Sequence, residues 1–133
     1  MVETTVSFEL STVVEAPVEA VFEALTDPEK HSAFTGAEAT GEPVEGGVFT
    51  AWDGYIEGRY LEIEPPTRIL QEWITSEWPA GSPVSLVEFR LVSAGDSTEL
   101  TLIHSEVPAS QAGSYKQGWV DYYWKPLRAY FEK

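Results

Sequence analysis

Apolar and polar positions in this chain alternate first in twos, then recur helically, then alternate in twos again, and end on a long helical stripe. Residues 5–14, TVSFELSTVV, set Val6, Phe8 and Leu10 on one face and Ser7, Glu9 and Ser11 on the other, the pattern of a half-buried strand. In the following segment Pro17 suits a first helical position, and Val18, Val21, Phe22 and Leu25 fall at i, i+3, i+4 and i+7. That helix is expected to stop near Thr26, because Asp27 precedes Pro28 and is driven toward extended geometry. A second short helix over about 28–34 then ends at Gly36.

From residue 38 to 106 every signal is strand or turn. Gly46-Gly47 opens VFTAW, and Asp53-Gly54 is a hairpin signal joining it to YIEGRYLEIE. Pro65-Pro66 closes that strand, TRILQEWITSEW follows, and residues 79–83 form a loop. VSLVEFRLV, a turn at 94–96 and TELTLIHSEV complete the series before Pro108. The segment Gln111–Lys133 reads as one amphipathic helix, with Tyr115, Trp119 and Tyr122 on one track and Trp119, Tyr123, Leu127 and Phe131 on the next. Two residues strain it: Pro126 is expected to kink the helix, and Gly118 costs roughly 1 kcal/mol relative to alanine. Hairpin-linked strands with helices at both ends imply an α+β fold, a curved antiparallel sheet of about six to seven strands with helices on one face.

Composition narrows the classes. A length of 133 residues predicts a single domain over 1–133, large enough to fold without staples. The chain lacks cysteine, which excludes disulfides and thiolate chemistry, and the N-terminal MVETTVSFEL lacks the pattern of a signal peptide, so a cytoplasmic location is expected. No apolar run reaches bilayer length, which argues against membrane insertion. With 22 acidic against 8 scattered basic residues the net charge is −14, which argues against nucleic acid and favours a basic protein surface as a macromolecular partner.

Candidate chemistry is sparse. His104 follows Leu100 and Leu102 at period two and is expected to face inward, either as a ligand-orienting or proton-moving group or as a satisfied interior histidine. His31, on the second short helix, is expected to face solvent. Glu62 and Glu64 read as the solvated face of their strand, and Glu57 and Arg59 fall on its other face as a cavity-mouth or surface pair. Glu72, Glu88 and Arg90 alternate against Trp73 and Phe89 and read as outer face. There is no GxSxG, P-loop or GxGxxG motif and no metal-ligand spacing, so no catalytic residue beyond His104, no metal and no cofactor is expected. The remaining candidates are aromatic: Phe34, Phe49, Trp73, Phe89, Trp119 and Tyr123 on inward faces beside Leu100 and Leu102, with Trp52, Tyr60 and Trp78 nearer the rim. Such a set either lines an apolar pocket or fills the core.

Four stretches line up with a known family: STVVEAPVEAVFEALTDPEKHSAFTG, GGVFTAWDGYIEGRYLEIEPPTRILQEW, STELTLIHSEVP, and the closing GW-x-x-YY-x-x-x-L-x-x-YF. In this order they closely resemble stand-alone domains similar to the C-terminal domain of the activator of heat-shock protein 90 ATPase, within the START-related, birch-pollen-allergen-like helix-grip superfamily. The resemblance implies a curved sheet gripping the long C-terminal helix, with a hydrophobic cavity between them. The function expected first is binding of a small lipid-like or aromatic ligand there, oriented by His104 and a tyrosine hydroxyl. A co-chaperone-like module acting on a heat-shock protein 90 family ATPase is the alternative, and a cyclase-like or hydrolase-like enzyme using the same cavity is a further one. A binding protein is expected rather than an enzyme, as a monomer or weak homodimer.

Overall fold

The computed structural model describes residues 4–132. The start of the N-terminal segment and Lys133, the expected end of the last helix, lie outside the described residues. Seven strands form one antiparallel sheet: β1 (Thr5–Val14), β2 (Thr40–Gly41), β3 (Val48–Ala51), β4 (Ile56–Glu64), β5 (Arg68–Thr75), β6 (Ser85–Ala94) and β7 (Ser97–Pro108). Their order is β1-β7-β6-β5-β4-β3-β2, so the hairpins run in sequence and the first strand closes the far edge against the last.

Two short helices follow β1. In α1 (Val18–Thr26), Val18, Val21, Phe22 and Leu25 are all buried, and Pro17 sits one position earlier than expected, as the cap. The second, α2 (Pro28–Thr35), begins where Asp27 accepts from the backbone N–H of Glu29 at 2.9 Å, satisfying an amide the first turn leaves free. It ends at Gly36, whose φ of 81° suits a residue without Cβ.

Two irregularities correct the strand reading. A bulge between Val6 and Phe8 leaves Val6 exposed at 39%, although alternation places it inward with Phe8 and Leu10. A second bulge, between Tyr60 and Glu62, re-phases β4. Ile56 and Tyr60 point in before it and Ile63 packs inward after it, so Glu57, Arg59, Glu62 and Glu64 all emerge on the outer face. The two opposite faces inferred for these charges are therefore one. Glu62, Glu64 and Glu88 converge there on Arg68, with Glu88 Oε2 2.6 Å from its Nε.

The C-terminal helix starts at Ala109, two residues earlier than expected, and is not simply kinked. It runs as α3 (Ala109–Trp119), a π-helical turn (Val120–Trp124) and α4 (Lys125–Phe131). Pro126 has no N–H for an i−4 bond and its ring crowds the carbonyl of the preceding turn; the wider π turn accommodates it, with Lys125 N–H reaching back to Val120 O. The helix lies against the inner face of the sheet, and its buried residues Trp119, Tyr123, Trp124 and Leu127 join the core of Val14, Ile69, Val87, Phe89, Leu91, Leu100 and Leu102.

Candidate functional site

The stripe Tyr115, Gly118, Trp119, Tyr122 and Tyr123 follows helical spacing and faces Trp52, Tyr55, Ile56 and Trp73 across a gap. That gap is an open cavity of about 280 Å³ whose wall is almost wholly apolar. Of the nine described residues that line it, seven are aromatic. Gly118 is the notch in the helix: a Cβ there would meet only Tyr122 Cδ2, at 3.8 Å, so the missing side chain leaves space on the cavity side.

The far wall comes from the sheet. Ile56 opens β4, paired to Thr75, while Trp73 sits two residues earlier on β5 opposite Gly58. A Cβ at Gly58 would lie 1.8 Å from Glu72 O and 2.8 Å from Phe49 Cζ, so only glycine allows the strands and the Phe49 ring to approach there. Trp52 and Asp53 adopt φ of 54° and 59°, left-handed geometry that non-glycine residues rarely hold. Asp53 is pinned to Glu38, donating N–H to Glu38 O at 3.0 Å and accepting Glu38 N–H at 2.8 Å. The strained turn delivers the Trp52 ring to the cavity, 5.5 Å from Tyr122 and edge-on to it.

A hydroxyl network closes one side. Tyr115 Oη lies 2.7 Å from Thr75 Oγ1 and donates to Gln111 Oε1 at 2.6 Å, and Gln111 Nε2 donates to Glu77 O at 2.8 Å. Tyr55 donates to the Glu77 carboxylate. Burial, then that hydrogen bond, pushes the Tyr55 hydroxyl up to about 12, and burial raises Tyr115 too, so both rings stay neutral phenols. Trp78 stacks on Tyr115 at 6.0 Å, with Nε1 bonded to Pro83 O, and so backs the wall without lining it.

His104 faces inward as alternation requires, fully buried, but beneath the cavity wall. Trp119 Nε1, which can only donate, points at His104 Nδ1 at 3.1 Å. Nδ1 is thereby the acceptor, the proton sits on Nε2, and Nε2 donates to Ser85 Oγ at 2.9 Å. Ser85 passes its own hydrogen to Trp73 O. This relay ties helix, β7, β6 and β5 together and uses both imidazole nitrogens; burial pushes the histidine down to about 3, keeping it neutral.

Of the residues singled out from sequence, Trp52, Trp73, Trp119 and Tyr123 line the cavity. Phe34, Phe49, Phe89, Leu100 and Leu102 are core behind it. Tyr60 is not at the rim: it is 5% exposed and lies 5.0 Å from Phe49, turned inward ahead of the β4 bulge. His31 is not on the surface: it is 8% exposed against Phe34 and Tyr123, because α2 packs its 31/34 face onto the C-terminal helix. Tyr55, Ile56, Tyr115, Gly118 and Tyr122 were not singled out as lining, although the helical track through Tyr115, Trp119 and Tyr122 carried the signal for three of the five if Gly118 is counted with it. Among the described residues no cluster of metal-ligating side chains occurs, and no helix is long and apolar enough to cross a membrane.

The comparisons with known proteins agree with this architecture. The family model for activator of Hsp90 ATPase homolog 1-like protein matches residues 15–132. The human activator of 90 kDa heat shock protein ATPase homolog 1 is 29% identical over 113 residues, covering 85% of this chain and 33% of its own length. The chain thus spans about a third of the length of the curated relatives it matches. Among solved structures, an HSP90 activator from Plasmodium falciparum superposes with a TM-score of 0.87 at 26% identity, over 93% of this chain and 94% of that one. The solution structure of CalU16 from Micromonospora echinospora gives 0.77 at 30% identity, over 95% of this chain and 65% of that one. With the family model spanning nearly its whole length, this chain belongs to the activator of Hsp90 ATPase homolog 1-like family.

Proposed function

We propose that this chain binds a small, largely apolar ligand in the cavity between its C-terminal helix and the β4–β5 end of the sheet. One observation carries the reading: an open space of about 280 Å³ with a nearly all-apolar, aromatic wall. It approaches the size range of small-molecule sites, which are concave, apolar and edged by a few polar groups. Burying ligand surface there supplies affinity at about 25 cal/mol per Å², before the costs of association. His104 enters this reading as a positioning residue for Trp119 and Trp73, because neither of its nitrogens is free to meet a ligand. Lack of cysteine suits a cytoplasmic setting for such a protein.

An amide chemical-shift titration against flavonoids, sterols, polycyclic aromatics and fatty acids tests it. Saturable shifts clustered at Ile56, Gly118 and Trp119 are expected; silence across the panel would refute the proposal.

A second reading is action on an Hsp90-type chaperone, supported by what the human and Plasmodium falciparum relatives are called and by the net charge of −14. Its test is calorimetric binding to a purified Hsp90-family ATPase at two salt concentrations. Binding that weakens at high salt supports a charge-steered contact; no heat at either concentration removes it.

A further inference from the structure

The lining of the cavity is specific about charge as well as polarity. Among the described residues no lysine, arginine or histidine lines it, and the chain as a whole carries −14. An anionic ligand such as a fatty-acid carboxylate would enter a negative field and find no counter-charge. The wall is built from rings whose planes cross rather than lie flat together: Trp52 and Tyr122 at 70°, and Trp73 and Tyr115 at 83°. Aromatic faces carry the negative end of a quadrupole, and seven rings border this one small space, two pairs of them in edge-to-face contact. Tyr55 adds to this, because its hydroxyl donates to the Glu77 carboxylate, which pushes electron density into the ring and sets a negative charge beside the cavity.

From these observations, and resting on the reading of the cavity as a ligand site, we propose that it is an aromatic cage for a compact, fully alkylated organic cation, a quaternary ammonium carrying a small apolar or aromatic group. Full alkylation follows from the wall itself. A primary ammonium would bring three N–H donors against a wall that is almost wholly apolar and offers few acceptors to take them. Burying those donors unpaired is costly. A quaternary ammonium has no donors, spreads its charge over methyl groups and sheds water more readily. The protein's negative field draws the cation in, the rings hold it, and the apolar remainder fills the space beside Gly118.

The test compares benzyltrimethylammonium with neopentylbenzene, its neutral isostere, and with benzylamine and 4-tert-butylbenzoate, by tryptophan fluorescence and amide shifts on the whole chain. The cation is expected to bind at least tenfold tighter than the isostere, with benzylamine weaker and the anion silent. Tyr122→Leu and Trp52→Leu replace rim rings with apolar side chains; each is expected to weaken the cation about three- to fivefold while leaving the isostere within twofold. Equal binding of cation and isostere, or preference for the isostere, overturns the cage and leaves the apolar site standing. Failure of both to bind overturns the cage and the ligand site together. Dihexanoylphosphatidylcholine separates the two sources of such a cation. Its uptake supports the cage and points to a lipid headgroup; its exclusion while benzyltrimethylammonium binds supports the cage and points to a free quaternary ammonium.

Discussion

Acidification should weaken this fold through its two buried histidines, and His31 allows the effect to be isolated. Burial pushes His31 down to about 4 and His104 down to about 3, so both are neutral in the native protein. In the unfolded chain each returns to roughly 6.5. A native value below the unfolded one means that protonation favours unfolding. The contribution is complete above about pH 6.5 and is lost as pH falls toward the native values. At pH 5 an unfolded histidine is almost fully protonated and a native one is not. Each site therefore forfeits about 2 kcal/mol between pH 7.5 and 5, and the pair about 4. The 22 acidic residues respond in the same interval, so the total slope is not diagnostic.

The comparison with His31→Leu is diagnostic. His31 Nδ1 has no hydrogen-bond partner, and its ring packs 4.9 Å from Phe34 and 5.4 Å from Tyr123. Leucine keeps the site apolar, so the variant should lie within about 1.5 kcal/mol of the native protein at pH 7.5. Moving to pH 5 should favour the variant by about 2 kcal/mol more. Urea unfolding followed by tryptophan fluorescence at both pH values measures this, and the imidazole Hε1 resonances report the titrations directly. Parallel pH dependence of the two proteins, or a native His31 midpoint above 6, would refute the reasoning.

The relay under the cavity floor gives a second expectation. Ser85→Ala leaves His104 Nε2–H and Trp73 O without the hydroxyl that each of them meets, a loss of about 1–3 kcal/mol in the same unfolding assay, with a weakened near-ultraviolet tryptophan signal; unchanged stability would contradict the relay. Gly58→Ala must move Glu72 O or the Phe49 ring and should cost more than about 2 kcal/mol by thermal unfolding, whereas a silent variant would deny the close approach. Arg68→Ala, although it removes contacts to three glutamates, should cost only about 1 kcal/mol and less in high salt, because most of that network faces water; a larger loss that salt does not relieve would count against it. Gly118→Leu should keep or raise the melting temperature while abolishing uptake of cavity ligands in the shift titration, and retained binding would place the site elsewhere.

The sheet and helices were legible because their signals are local. Asp53-Gly54, Pro65-Pro66 and the period-two faces of β5, β6 and β7 need no tertiary information, and neither does the Asp27-Pro28 break between α1 and α2. What alternation missed were insertions of one residue. The β4 bulge exchanges the faces of everything beyond Tyr60, and nothing in GRYLEIE marks where the extra residue sits. His31 was misplaced for a different reason: α2 has almost no amphipathic pattern of its own, so its buried face is chosen by the C-terminal helix. The cavity was half legible. Its helix side follows spacing through Tyr115, Trp119 and Tyr122, whereas Tyr55 and Ile56 join it only because a hairpin turn, held in left-handed geometry at Trp52 and Asp53, folds over the helix.

Gly118 links the energetics of the fold to the existence of the cavity. A glycine in mid-helix gives up about 1 kcal/mol relative to alanine, and here alanine would fit, since its Cβ would meet only one carbon at ordinary contact distance. A longer apolar side chain would go further, burying itself against Trp73 and Trp119 and removing aromatic surface from water. Both changes move toward a more stable protein, and neither is blocked by the backbone, because the helix around residue 118 holds ordinary right-handed geometry. The structural demands on the helix are met by its other positions: Trp119 locks His104, Tyr123 packs under α2, and Leu127 is wholly buried. Stability therefore gives no reason for the notch, while an occupant that needs room between Trp73 and Tyr122 does. The left-handed geometry at Trp52 belongs to the tight β3–β4 turn, and it puts one more ring on the same space.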